Sequence, residues 1–463
     1  VLDPDPSSRH LVVVANRLPV QRADGCADGG WRRSPGGLVA ALEPSMRAAA
    51  KATWVGWTGS PDTEAPFTHD GIDLVPVAVS HREQRDFYDG MSNGSLWPLY
   101  HDAIVVPQFH EHWWEAYVAV NQRFAEYAAA VAEAGALVWV HDYQLHLVPA
   151  MLRRLRPDVR IGFFLHIPFP SQELFLRLPW RRQLVEGLLG ADVVGFQTSV
   201  GADNFRQVAR RLGARVHSGV VHHDRGHTRV GALPVGIDAG RIAEIAADPA
   251  TARRARAIRT ELGSPDTVLL GVDRLDYTKG IDVRLRAYGA LLDEGRLDPD
   301  RTTFVQIAQP SRDHAPGYQE TREVIEQMAG RINGDHARLG GRVVEYLHQG
   351  QDLHELVALY VAADVMVVTP FRDGMNLVAK EYVAARTDGS GVLVLSEFAG
   401  AAHQLRRALL VNPFDVRGLT DALETAVLGE GPQRRHMQAM ARNVHQEDAA
   451  WWADSLLEAL VRP

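Results

Sequence analysis

The chain is poor in cysteine, with a single residue, Cys26, among 463. One thiol excludes a disulfide framework within the chain and fits a reducing cytoplasm. Long apolar runs are also missing: the best stretch, Leu356 to Met366, is interrupted by Asp364 and falls short of a membrane span. Positive charge is not in excess. Lys and Arg number 49 against 57 Asp and Glu, a net charge of -8, which argues against a general binder of nucleic acid or of membrane surfaces. No G-x-G-x-x-G follows the first strand pattern of either half, which opposes a dinucleotide dehydrogenase, and there is no Walker A pattern. Internal repeats and low-complexity tracts are absent. The polar, Pro-rich opening VLDPDPSSRH does not read as a signal peptide. Residues 1–9 are expected to form a disordered lead-in, with the missing Met suggesting trimming.

What remains is ordinary globular composition, 46% hydrophobic and 23% charged. The length is too great for one core, so two domains are expected. Along the chain the pattern is strand, polar turn, helix, repeated. HLVVVANR, ALVWVHDYQL, RIGFFLHIPFP and ADVVGFQT are buried-type strands of the first half. An amphipathic stretch from Ala116 to Ala134 predicts a helix stopped at Gly135. Residues 220–235 break the rhythm, and the crossover is placed near Pro234. The alternation then restarts with TVLLGVD, TTFVQIAQ, RVVEYLH, VMVVTP, GVLVLSE and ALLVNP as strands between helical stretches. Short apolar strands alternating with helices predict parallel sheets covered on both faces, an α/β protein of two doubly wound domains. The boundaries are 10–234 and 235–447, with 448–463 (WWADSLLEAL) as a terminal helix packing back on the first domain.

Ligands of such sheets sit beyond the carboxyl ends of the strands. The polar residues there are Asn16 and Arg17, His141 and Asp142, His166, Arg274 with Lys279, Arg312, and RDGMNLVAKE from Arg372 to Glu381. Any one of them also reads as a cap or loop salt bridge; the recurrence is the signal. Pro35, Gly36 and Gly37 precede a helical pattern, an arrangement that lets backbone N–H groups approach phosphate. In RDGMNLVAKE, Gly374 is read before a helix whose first turn holds Met375 to Val378. The free N–H groups suit a diphosphate, and Glu381, two turns in, suits ribose hydroxyls. Arg274 and Lys279 then neutralise that diphosphate. The plain alternative is an Asp373 cap and a surface Glu. His217, His222, His223 and His227, like His110 and His112, lack fixed ligand spacing and Cys partners, so no metal is expected.

VVVANR, GGL, GWTG, SNGSLWPLYH, WVHDYQL, GFFLHIPFPS, RLDYTKGI, PSR, GRING and TPFRDGMNLVAKEYVAA resemble, in order and spacing, the motifs of glycosyltransferase family 20, the trehalose-6-phosphate synthases. They run from about residue 10 to residue 425, nearly the whole chain. The resemblance implies the GT-B architecture, two Rossmann-like domains facing across a cleft. It implies transfer of glucose from a nucleoside diphosphate glucose to glucose 6-phosphate, with retention and without metal or other cofactor. Arg17, Tyr88, Trp97 and Arg312 match the pocket for the acceptor and its phosphate, with Trp57 lining it and Asp142 on acceptor hydroxyls. Gly37, beside Gly36, matches the loop near the donor phosphates. His166 matches the residue holding donor glucose, with Ile167 beside it. Arg274 and Lys279 match the diphosphate clamp. Asp373 and the amides of Gly374, Met375 and Asn376 match sugar and phosphate contacts. Leu377, Val378 and Glu381 match nucleoside contacts, with Ala379 and Lys380 between them. His166, Arg274, Lys279, Asp142 and Asp373 form the expected catalytic set.

One departure concerns the base. Where the family often has a bulky aromatic followed by Asp and Arg, this chain has Gly350, Gln351 and Leu353. Gln351 can hydrogen-bond a base edge, so the donor is left open between UDP-, GDP- and ADP-glucose. Competing readings are a pseudo-glycosyltransferase coupling cyclitol-type substrates and a non-catalytic sugar-phosphate sensor. Both would tolerate loss of motifs that are kept here. By resemblance the protein is also a homo-oligomer, dimer or tetramer; a cytoplasmic place follows from the single cysteine, and domain closure is expected because the acceptor set sits mainly on the first domain and the donor set mainly on the second.

Overall fold

The structure, a computed structural model, describes residues 8–22, 30–34, 37–61, 64–311, 316–338, 341–429 and 433–462. Cys26, Gly36, Arg312 and residues 1–7 of the expected lead-in lie outside them. The chain divides into two compact units, Val1–Val235 with Ala449–Pro463, and Gly236–Asp448.

The strands of the first unit are β1 (His10–Arg17), β2 (Val20–Arg22), β3 (Trp31–Arg33), β4 (Lys51–Trp57), β5 (Phe67–His69), β6 (Ile72–Pro76), β7 (Leu137–His141), β8 (Arg160–Leu165), β9 (Val193–Phe196), β10 (Arg215–His217), β11 (Val220–His223) and β12 (Gly226–Ala232). All but the β2–β3 hairpin form one sheet, ordered β10-β11-β12-β9-β8-β7-β1-β4-β6-β5. From β6 to β9 and on to β12 the pairing is parallel. Apolar runs such as Leu11–Val14 have nearly no exposure, as strands covered on both faces require. The segment that broke the rhythm is the antiparallel set β10 to β12. The helix expected over 116–134 runs Glu111–Val131, N-capped near His110. The Ala449–Val461 helix belongs to this unit, with Trp452 fully buried 4.9 Å from the Trp139 ring.

The second unit has six parallel strands, β13 (Thr267–Arg274), β14 (Thr302–Gln309), β15 (Val344–Leu347), β16 (Val365–Val368), β17 (Val392–Ser396) and β18 (Leu409–Val411). Their order is β15-β14-β13-β16-β17-β18. Counted within the unit this is 3-2-1-4-5-6, the Rossmann order, whose direction of winding reverses between β13 and β16. The first unit repeats it: β6, β4, β1, β7, β8 and β9 are again 3-2-1-4-5-6, with the reversal between β1 and β7. The helices' apolar faces close the cores, as Leu285, Tyr288 and Leu291 do over Leu269 and Phe304.

Among the described residues no helix is long and apolar enough to cross a membrane, and no group of three or more His, Cys, Asp or Glu could hold a metal ion.

Candidate active site

Each unit gathers its polar residues where its winding reverses. In the first, β1 ends at Arg17, β7 at His141 and β8 just before His166. Arg17 is exposed, and its guanidinium lies 4.1 Å over the Trp57 ring and 5.5 Å from that of Tyr88. Trp57 is fully buried and holds its own indole N–H on Ser60 O at 2.7 Å. The stack fixes a planar cation at the carboxyl end of β1 while leaving its N–H edge for an anion. Gly59 makes room for it, because a Cβ there would stand 1.6 Å from Arg17 Nη1.

Tyr88 sits on a π-helix, Gln84–Leu96, an uncommon element that recurs at functional sites. Asn93 on the same helix accepts the Tyr143 hydroxyl at 2.8 Å. Trp97, just beyond it, packs 5.7 Å from the Tyr143 ring. Tyr143 in turn follows Asp142, whose backbone is left-handed at φ 73°. That conformation ends β7 five residues into the longer apolar run and turns the carboxylate: Asp142 Oδ1 accepts the His166 amide at 3.2 Å. His166 is half-buried and Ile167 is 7% exposed. Burial pulls the His166 imidazole down to about 3, so it is neutral at pH 7.

In the second unit RLDYTKGI follows the end of β13. Asp276 Oδ1 accepts Thr278 N at 3.0 Å and Thr278 Oγ1 at 2.9 Å, which closes a tight turn. Gly280 then enters the Ile281–Asp293 helix at φ 58°; a Cβ there would stand 2.3 Å from Thr369 O. The turn places Lys279 Nζ 2.5 Å from Asp373 Oδ2, while Arg274 ends β13 exposed. Behind them Arg284, wholly buried, donates to Asp273 Oδ2 at 2.6 Å, to Thr369 Oγ1 at 2.9 Å and to Lys279 O at 2.8 Å. It joins β13, the turn and the end of β16.

The DGMN loop is held from below: Asp373 N donates to Phe398 O, Gly400 N to Asp373 O and Ala401 N to Met375 O. The helix starts at Leu377, later than the reading that put Met375 in its first turn. The cause is Asn376, at φ 82°, whose side chain caps Ala379 N at 3.0 Å and reaches Asp373 Oδ2 at 3.1 Å. The cap uses the Ala379 amide and leaves those of Leu377 and Val378 without intrahelical acceptors. Glu381 lies one turn in, half-buried, not two, and accepts the Tyr360 hydroxyl on Oε2 at 2.8 Å. Burial pushes its carboxyl up against the pull of that bond. Met375, Ala379 and Lys380 are buried, and burial lowers the Lys380 ammonium to about 7. Gln351 is half-buried just ahead of the Leu353–Ala362 helix, which Asp352 caps. Gly37 opens the Gly37–Ala48 helix.

Sequence reasoning passed over Arg284, Asp273, Tyr360 and the π-helix, and had Trp452 only as part of a helix packing on the first domain. An arginine inside an amphipathic helix reads as a surface charge, and the two glycines at 90 and 94 mask any helix around them.

Two doubly wound α/β units in one chain, each with its polar residues at the winding reversal, define the GT-B class of glycosyltransferases. The model of glycosyltransferase family 20 matches residues 9–462. The chain is 53% identical to the trehalose-6-phosphate synthase of Mycolicibacterium gilvum, covering 99% of this chain and 94% of that one. It is likewise 53% identical to that of Mycobacterium avium, covering 97% and 95%. Among solved structures, one from E. coli bound with UDP-2-fluoro glucose superposes with a TM-score of 0.89 at 34% identity, covering 98% and 99%. A UDP-forming α,α-trehalose-phosphate synthase from Burkholderia xenovorans, in complex with glucose-6-phosphate, gives 0.89 at 33%, covering 97% and 99%. The chain belongs to glycosyltransferase family 20, among its trehalose-6-phosphate synthases.

Proposed function

We propose that the protein transfers glucose from a nucleoside diphosphate glucose to glucose 6-phosphate, forming α,α-trehalose 6-phosphate with retention. The observation that carries this reading is the pairing of two chemically different sets at the two winding reversals. The first unit offers a stacked arginine, a carboxylate and a neutral imidazole, suited to a sugar phosphate. The second offers two cations, two free amides at a helix start and a half-buried carboxylate, suited to a nucleoside diphosphate.

Departure of the diphosphate builds negative charge on its oxygens, which Arg274, Lys279 and the amides of Leu377 and Val378 oppose. Lys279 is already paired with Asp373, so an arriving phosphate shares that ammonium and leaves Asp373 oriented by Asn376. Arg17 and, by resemblance, Arg312 hold the acceptor phosphate. Asp142 orients acceptor hydroxyls, and His166 meets the donor glucose. The acceptor hydroxyl's proton passes to the leaving phosphate on the same face, with no carboxylate nucleophile of the kind retaining hydrolases use. Gln351 reads the base edge, and a base other than uracil is within its reach; the relatives named as UDP-forming concern those proteins.

The test is stereochemical and covalent. NMR of the product should show α,α linkage throughout, and intact-mass measurement with a 2-fluoro donor should show unmodified protein. A glucosyl adduct on Asp142, or a β-linked product, contradicts the mechanism. For the base, Gln351→Phe should shift donor preference; an unchanged ranking of the three donors contradicts that assignment.

A further inference from the structure

His141 and His166 end neighbouring strands, β7 and β8, and meet edge to edge. His141 Nδ1 lies 3.0 Å from His166 Nε2, with ring centroids 5.3 Å apart and planes 29° from parallel. The Trp452 indole covers both, 6.4 Å from the His141 centroid and 6.0 Å from that of His166. Asp142 Oδ1 and Gln197 Nε2 grip the His166 backbone amide and carbonyl. His141 has no exposure, and its Nε2 is buried without a hydrogen-bond partner among the described residues.

One proton lies between the facing nitrogens, and its side decides both tautomers. If His166 donated, neutral His141 would carry its proton on Nε2, a buried N–H with nothing to accept it. If His141 donates from Nδ1, its buried Nε2 is only an unused lone pair. Orphaned buried N–H groups are the rarer defect. Burial holds both imidazoles neutral at pH 7, so a doubly protonated ring does not rescue the first arrangement.

Resting on the reading of His166 as a donor-sugar contact, we propose that His141 is a positioning residue. Its Nδ1–H donates to His166 Nε2, which places the proton of His166 on Nδ1 and presents that imidazole to the sugar as a hydrogen-bond donor. His166 Nδ1 is the ring nitrogen left over, since it bonds to no group among the described residues and is not among the buried atoms that lack a partner. A sugar hydroxyl oxygen then accepts from it, so the site rejects a hydroxyl replacement that cannot accept.

The test begins with the unaltered protein. Histidine-15N NMR, with His166 assigned from His166→Ala, should show His166 in the Nδ1–H form and His141 likewise; a His166 Nε2–H signal overturns the proposal. Kinetics supply the second readout. His141→Leu should lower kcat/KM for the nucleotide sugar about tenfold, the worth of one positioned hydrogen bond, with KM for glucose 6-phosphate changed less than about twofold. His141→Asn keeps an N–H near the Nδ1 position and should recover most of the loss. Equal loss in both variants, tracking a fall in melting temperature, means a packing role only and contradicts the proposal. Should His166→Ala leave donor kinetics unchanged while the tautomer is as stated, the substrate reading fails and the His–His bond stands.

Discussion

Asp142 and Asn376 are non-glycine residues held at φ 73° and 82°, a region L-residues enter at a cost and Asp and Asn tolerate best. Each ends an apolar strand run or opens a helix beside the proposed substrate, where stored strain is most often found. Asp142→Asn keeps the backbone preference and removes the charge. It should cut kcat/KM for glucose 6-phosphate at least about tenfold, the scale of a lost charge-assisted bond, with little change in melting temperature. Arg17→Lys keeps the charge and loses the planar stack on Trp57. It should raise KM for glucose 6-phosphate about tenfold or more while donor KM stays within about twofold. Steady-state kinetics with each substrate varied in turn separates the two. At this scale the sequence shows which residues are polar beyond strand ends, but not that Asp142 is left-handed or that His141 faces His166. The first is a local torsion, and the second depends on the register of β7 against β8 across 25 residues.

Two elements of the second unit carry the proposed phosphate chemistry, the RLDYTKG turn and the start of the Leu377–Ala385 helix. The turn is braced by Arg284, whose pair with Asp273 is buried at 0% and 2% side-chain exposure, and the helix start by the Asn376 cap. Arg284→Met leaves Asp273 buried without its cation, and breaking a buried pair in this way typically costs about 3–5 kcal/mol. Its effect should appear as a lower melting transition and a weakened diphosphate site together, read by calorimetry and by nucleoside diphosphate titration. Asn376→Gly keeps the left-handed turn and loses the cap, and Asn376→Ala loses both. The glycine variant should therefore be the more stable and still bind donor more weakly than the parent. Equal stability of the two would show that φ at this position carries no strain. Strand runs such as TTFVQIAQ were legible to the residue, matching β14 end for end. The later helix start was not, because it hinges on one Asn side chain bonding three residues on.

Over the whole molecule, sheet order follows from alternation: repeated strand–helix units with right-handed crossovers leave few ways to wind. The reading of two doubly wound α/β domains holds, while the antiparallel β10 to β12 extension was visible only as a broken rhythm. The buried histidines give the first unit a pH signature. His141, His146 and His166 are held below their ordinary value by burial, the last two to about 3. The folded state thus binds fewer protons than the unfolded one once pH falls below about 6.5. Stability from these groups is complete above that pH and is lost progressively as pH falls below it. Asp273 and Glu381 in the second unit shift upward by burial, so these two groups have the opposite tendency. Calorimetry between pH 7 and 4.5 should find the transition of the first unit falling faster, and His146→Gln should flatten its slope. A slope unaltered in that variant contradicts the assignment.

The most direct measurement is a donor panel with the purified protein. Glucose 6-phosphate is mixed separately with UDP-, GDP- and ADP-glucose, with and without EDTA, and both released nucleoside diphosphate and trehalose 6-phosphate are quantified. The account predicts stoichiometric release of both products with at least one donor, unaffected by EDTA. Absence of trehalose 6-phosphate with every donor, or turnover that EDTA abolishes and metal restores, would contradict it.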